Sequence, residues 1–113
     1  MLTIPLLAFG QARSVKILRI DVTGKVNATD LKKIALCRTF KPTLQQAKHF
    51  FNRADYIPKA TVTAERDAAC YATGSLIYSD NSHATWTLYS NGSATLLLTR
   101  GDEVTLRHEK NVW

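Results

Sequence analysis

Apolar and charged positions alternate over residues 14–22 (SVKILRIDV), where Val15, Ile17 or Leu18, and Ile20 are set against polar neighbours. This period of two predicts a half-buried strand that ends at Thr23-Gly24. Asn27 to Asp30 then offer several N-cap candidates, and over 31–38 Leu31, Ile34 and Ala35 fall on one helical face, so a short helix is expected. After Pro42, Thr43 and Gln46 form a T-x-x-Q capping box that opens a second helix. Leu44, Ala47, Phe50, Phe51 and Ala54 give it an apolar stripe, while Lys48, His49, Asn52 and Arg53 point elsewhere, and it stops before Pro58.

From Lys59 the period changes from 3.6 to 2, and 60–64, 70–79, 84–90, 93–99 and 103–108 read as successive strands. Asn91-Gly92 is the strongest hairpin signal, since both residues tolerate the positive φ of a two-residue type I′ turn; Asp80-Asn81-Ser82 and Gly101-Asp102 supply the neighbouring turns. Trp86 and Leu88, Leu96 and Leu98, and Val104 and Leu106 form a greasy face for the helix that carries Phe50 and Phe51. Thr85, Thr87, Thr95, Thr99, Thr105 and Arg107 form a polar one, and Tyr71, Tyr78 and Tyr89 are candidates for exposure. The expected fold is α+β: an N-terminal strand and one or two helices packed on an antiparallel β-meander of four to five strands.

At 113 residues the chain suits one core, assigned to 13–113, with 1–12 as a signal-like apolar segment or an N-terminal arm. Hydrophobic residues make up 45% and charged ones 21%, which excludes an intrinsically disordered chain. The net charge is +6, unevenly placed: residues 1–57 carry ten Lys and Arg against three Asp, whereas 58–113 carry five against six acids. An anionic partner and a merely solvated basic surface both fit that charge.

Cys37 and Cys70 are too far apart for a CxxC motif and too few for a tetrahedral metal site, so no metal or other cofactor is expected. They are read as two buried free thiols, a disulfide being the exported alternative. The stretch 2–12 (LTIPLLAFGQA) resembles a secretory apolar region, but no Lys or Arg precedes it, and Pro5 and Gly10 make it too short and interrupted to span a bilayer. The expected location is cytoplasmic with reduced thiols, or periplasmic if a complete signal lies upstream.

The chain contains no P-loop, GxGxxG, GxSxG or HExxH motif, so no catalytic residue is assigned. One catalytic alternative is a small basic ribonuclease of barnase-like shape, in which His83, His108, Arg100, Arg107 and Glu103 meet at one end of the sheet. His49 reads as a surface histidine. Nucleic-acid binding is not the leading expectation, because Tyr71, Tyr78 and Tyr89 lie in the half without positive excess. Arg100-Gly101-Asp102, Asn27-Ala28-Thr29 and Asn91-Gly92-Ser93 match short adhesion and glycosylation motifs but are given turn and cap roles.

The runs FFNRADYI, Cys-Tyr-x-x-Gly over Cys70 to Gly74, ATWTLYSNGSATL and LRHEKNVW look like a set of small proteobacterial proteins. Some of these resemble immunity proteins of contact-dependent growth inhibition systems, and the resemblance covers about residues 40–113. It implies stoichiometric inhibition: the chain binds a cognate toxin domain, such as a ribonuclease, and covers its cleft. A basic cleft attracts carboxylates, so Glu65, Asp67, Asp80, Asp102, Glu103 and Glu109 are the candidate toxin-binding residues. A periplasmic inhibitor or binding protein is the further alternative. Oligomeric state is left open.

Overall fold

The computed structural model describes residues 14–57, 69–99 and 101–108, which form six strands and two helices. β1 (Val15–Val26) does not stop at Gly24 as expected. Gly24 takes a φ of +67°, open to glycine without penalty, and its N–H donates to Phe40 O at 2.9 Å, so the strand passes through the turn signal. Three register shifts against β3 bend this long edge strand.

α1 (Leu31–Cys37) is capped by Asp30, whose carboxylate accepts from Lys32 N–H at 2.9 Å. Its inward face differs from expectation: Cys37 is buried and Ile34 half-buried, whereas Leu31 and Ala35 are exposed. The cause is covalent, because Cys37 is disulfide-bonded to Cys70, the first residue of β3, and that bond sets the rotation of the helix. The expected reduced thiols are therefore joined in the structure.

α2 (Leu44–Arg53) begins with both halves of the capping box: Gln46 N–H donates to Thr43 Oγ1 at 3.1 Å and Thr43 N–H to Gln46 Oε1 at 2.8 Å. Thr43→Ala should lower the unfolding free energy by about 1 kcal/mol, read as a lower urea midpoint by circular dichroism. Ala47, Phe50 and Phe51 are buried on the expected stripe, while Leu44 is exposed. The chain then turns at Ala54 directly into β2 (Asp55–Ile57), which pairs with β6.

β3 (Cys70–Tyr78), β4 (His83–Tyr89), β5 (Ser93–Leu98) and β6 (Glu103–Arg107) make the expected meander. With β1 and β2 on its flanks, the sheet is antiparallel throughout in the order β1-β3-β4-β5-β6-β2. The strand expected over 60–64 lies outside the described residues. The Asn91-Gly92 turn is not type I′: only Gly92 has positive φ there, and its N–H donates to Tyr89 O at 3.1 Å. Asn91 instead spends its side-chain oxygen on Ser93, accepting from N–H at 3.1 Å and from Oγ at 2.7 Å. A three-residue loop with glycine in the left-handed position follows.

The core lies between α2 and one face of the sheet. Phe51 meets Trp86 with ring centroids 5.4 Å apart, and Phe50 packs edge-on against Phe51 at 5.2 Å. Leu76, Leu88, Leu96 and Leu106 complete it, each such side chain contributing about 1.5–3 kcal/mol. Tyr78 is part of this core, not of the exposed surface. Tyr71 and Tyr89 are half-buried and face each other across the β3–β4 pair, rings 6.1 Å apart.

Candidate partner-binding face

Strand pairing decides which chemistry meets. The β3–β4 and β5–β6 turns leave the meander at one end, so Asp80, Asp102 and Glu103 lie there, all three exposed. Asp80 is held by its own turn, accepting from Ser82 N–H at 2.9 Å and from Ser82 Oγ at 2.6 Å. The second turn is closed by Gly101 N–H to Leu98 O and Leu98 N–H to Asp102 O, both 2.8 Å. Glu65, Asp67 and Glu109 lie outside the described residues. Half of the acidic set is thus brought to one rim by the topology.

Next to that rim, directly opposed residues run across five strands on the polar face of the sheet: Arg19, Ser75, Thr85, Leu97 and Glu103. A groove of about 590 Å³ runs along this row from Arg19 to Leu97, short of Glu103, and is bordered also by Ile77, His83 and Thr99. Arg19 at one side is ion-paired to Asp21 within its own strand at 2.8 Å. Leu97 stands half exposed in the middle, an apolar side chain in a polar row. The neighbouring row places Thr73, Thr87, Thr95 and Thr105 in line, β-branched side chains that suit a pleated surface.

The ribonuclease constellation is taken apart by the same pairing. His83 pairs with Ile77 and Glu103 with Leu97 at the acidic end, whereas Arg107 pairs with Ser93 and with Asp55 at the other, where His108 N–H donates to Gly92 O. The length of β4, about 20 Å, separates the two histidines. Arg100 lies outside the described residues. His108 has a different companion: its ring is 6.1 Å from that of His49 and 6.4 Å from that of Phe50, centroid to centroid. Nothing in the sequence spacing of 49 and 108 pointed to this pair, because it depends on α2 crossing the end of β6. Among the described residues no group of three potential metal ligands is present, and no helix is long and apolar enough to cross a membrane.

Fold and face together define an α+β domain with a helix-backed antiparallel sheet whose polar face ends on a rim that carries Asp80, Asp102 and Glu103. Comparison with family models, with characterised proteins and with solved structures gives no match.

Proposed function

We propose that the chain is a non-catalytic inhibitor of the immunity type, which binds a toxin or enzyme domain through the acidic end of its meander and the adjoining groove. The observation that carries this reading is the convergence of Asp80, Asp102 and Glu103 on two tightly hydrogen-bonded turns beside exposed Leu97. Carboxylates on a rigid sheet end suit a cationic cleft and lose little conformational freedom on docking. The partner class rests on the resemblance to contact-dependent growth inhibition immunity proteins. The Cys37–Cys70 bond favours the periplasmic alternative over the cytoplasmic one, since structural disulfides persist in oxidising compartments.

The test is co-purification of the tagged, oxidised protein with the product of its upstream gene, with an activity assay on that product alone and in complex. A one-to-one complex that silences the partner is expected, weakened about tenfold or more by combining Asp102→Lys with Glu103→Lys. No complex, together with RNA cleavage by this chain itself, would overturn the reading. In that event the second reading is a ribonuclease using His49 and His108, whose ring spacing suits an acid and a base on either side of one phosphate. His49→Ala and His108→Ala would then each abolish cleavage.

A further inference from the structure

We propose that α1 and the turn into α2 form a docking surface for an anionic membrane, with leucines entering the headgroup boundary and flanking Lys and Arg meeting lipid phosphates. The surface has an unusual composition for a face left to water. Residues 31–54 contain six Lys and Arg and no acidic residue. Of the six exposed large apolar side chains among the described residues, three lie within 31–44: Leu31 at 79% exposure, Leu36 at 70% and Leu44 at 55%.

The arrangement on α1 is directional. Cys37 and Ile34 face the sheet, so Leu31, Lys32, Ala35 and Leu36 share the outward side, with the lysine between the two leucines. The disulfide at Cys37 and the Asp30 cap hold that orientation, so both leucines project from a fixed helix. Beside it, a groove of about 490 Å³ between β1 and α1 is lined by Lys25, Arg38 and Lys41 with Val26 and Ile34, and among the described residues no acidic side chain borders it. Three like charges around one groove repel one another unless an anion sits between them.

Charge complementarity alone fits RNA or an acidic protein as well as a bilayer. The apolar members decide in favour of the bilayer. Nucleic-acid surfaces use aromatic side chains to stack bases, and here Phe40, Phe50 and Phe51 are all buried. Aliphatic side chains interleaved with Lys and Arg are what an interfacial helix presents to anionic lipid. No helix among the described residues is long and apolar enough to span, so the contact proposed is one that lies on the surface. It leaves the acidic rim uncovered, because α1 is fastened to Cys70, the first residue of β3, whereas Asp80 lies two residues past the last, at the other end of the strand.

The test is flotation of the oxidised protein with vesicles of phosphatidylcholine alone and of phosphatidylcholine mixed with phosphatidylglycerol. Binding to the mixed vesicles only is expected, and each of Lys32→Gln and Arg38→Gln should weaken it about fivefold. The double variant Leu31→Ser and Leu36→Ser keeps every charge and should weaken binding about tenfold or more. These positions are exposed, so circular dichroism should stay unchanged. Equal binding to both vesicle types, no binding, or binding indifferent to the leucines would overturn the proposal. So would tighter, leucine-independent binding to a single-stranded RNA or to polyglutamate.

Discussion

Replacing Gly74 with alanine should destabilise the domain by about 3 kcal/mol or more, a large share of the stability a domain of this size has. Gly74 sits mid-strand in β3, opposite Ile20 on one side and Trp86 on the other. A Cβ there would run into Arg19 O and the six-membered ring of Trp86. The carbonyl cannot withdraw without breaking the β1–β3 ladder, and the ring cannot tilt because it is packed against Phe51. Trp86→Leu added to Gly74→Ala should recover only part of the loss, since the contact with the Arg19 carbonyl remains. Urea unfolding followed by circular dichroism compares both variants with the wild type. A wild-type midpoint in Gly74→Ala would mean that β1 does not approach β3 this closely.

The second large effect should come from the disulfide. Exchanging Cys37 and Cys70 for serine together should lower the unfolding free energy by about 3–4 kcal/mol, because the bond closes a loop across a separation of 33 residues and its loss releases that entropy to the unfolded chain. Wild-type protein in excess reductant should reach the same value, while reductant should leave the double serine variant unaffected. If reductant changes nothing in the wild type either, the two sulfurs are not bridged in solution. Partial loss of α1 should accompany the change, since Cys37 is the buried residue of that helix. The outward display of Leu31 and Leu36 depends on the same bond.

Much of this fold is legible in the residues, for identifiable reasons. The Thr43 capping box, the Phe50–Phe51 stripe and the two-faced strands around Trp86, Leu96 and Leu106 are local periodicities that the tertiary structure reinforces. What fails is what depends on partners distant in sequence. β2 has only three residues and exists because β6 offers it a ladder. β1 continues past Gly24 because Phe40 accepts its N–H. α1 buries Cys37 in place of Leu31 because of a covalent bond from residue 70. The same distinction divides the sites. Asp80, Asp102 and Glu103 share one rim because consecutive hairpins alternate ends, a rule that strand counting supplies. By that rule His83 and His108 also fall at opposite ends, whereas the His49–His108 neighbourhood requires the packing angle of α2.

The strand order has a consequence for how the chain is made. Among the described strands, both edges of the sheet come from the first 57 residues and the centre from the remainder, with Val15 pairing to Tyr78 and Asp55 to Arg107. A chain leaving the ribosome N-terminus first therefore presents β1 and α2 before any surface exists to receive them. Its contacts of high sequence separation close last and slowly. The meander, built from neighbouring hairpins, is the unit able to form early, and the first half of the chain must wait unpaired until it does. Guarding that interval against strand-to-strand association falls to the Lys, Arg and Asp side chains spaced along β1 and to its register shifts.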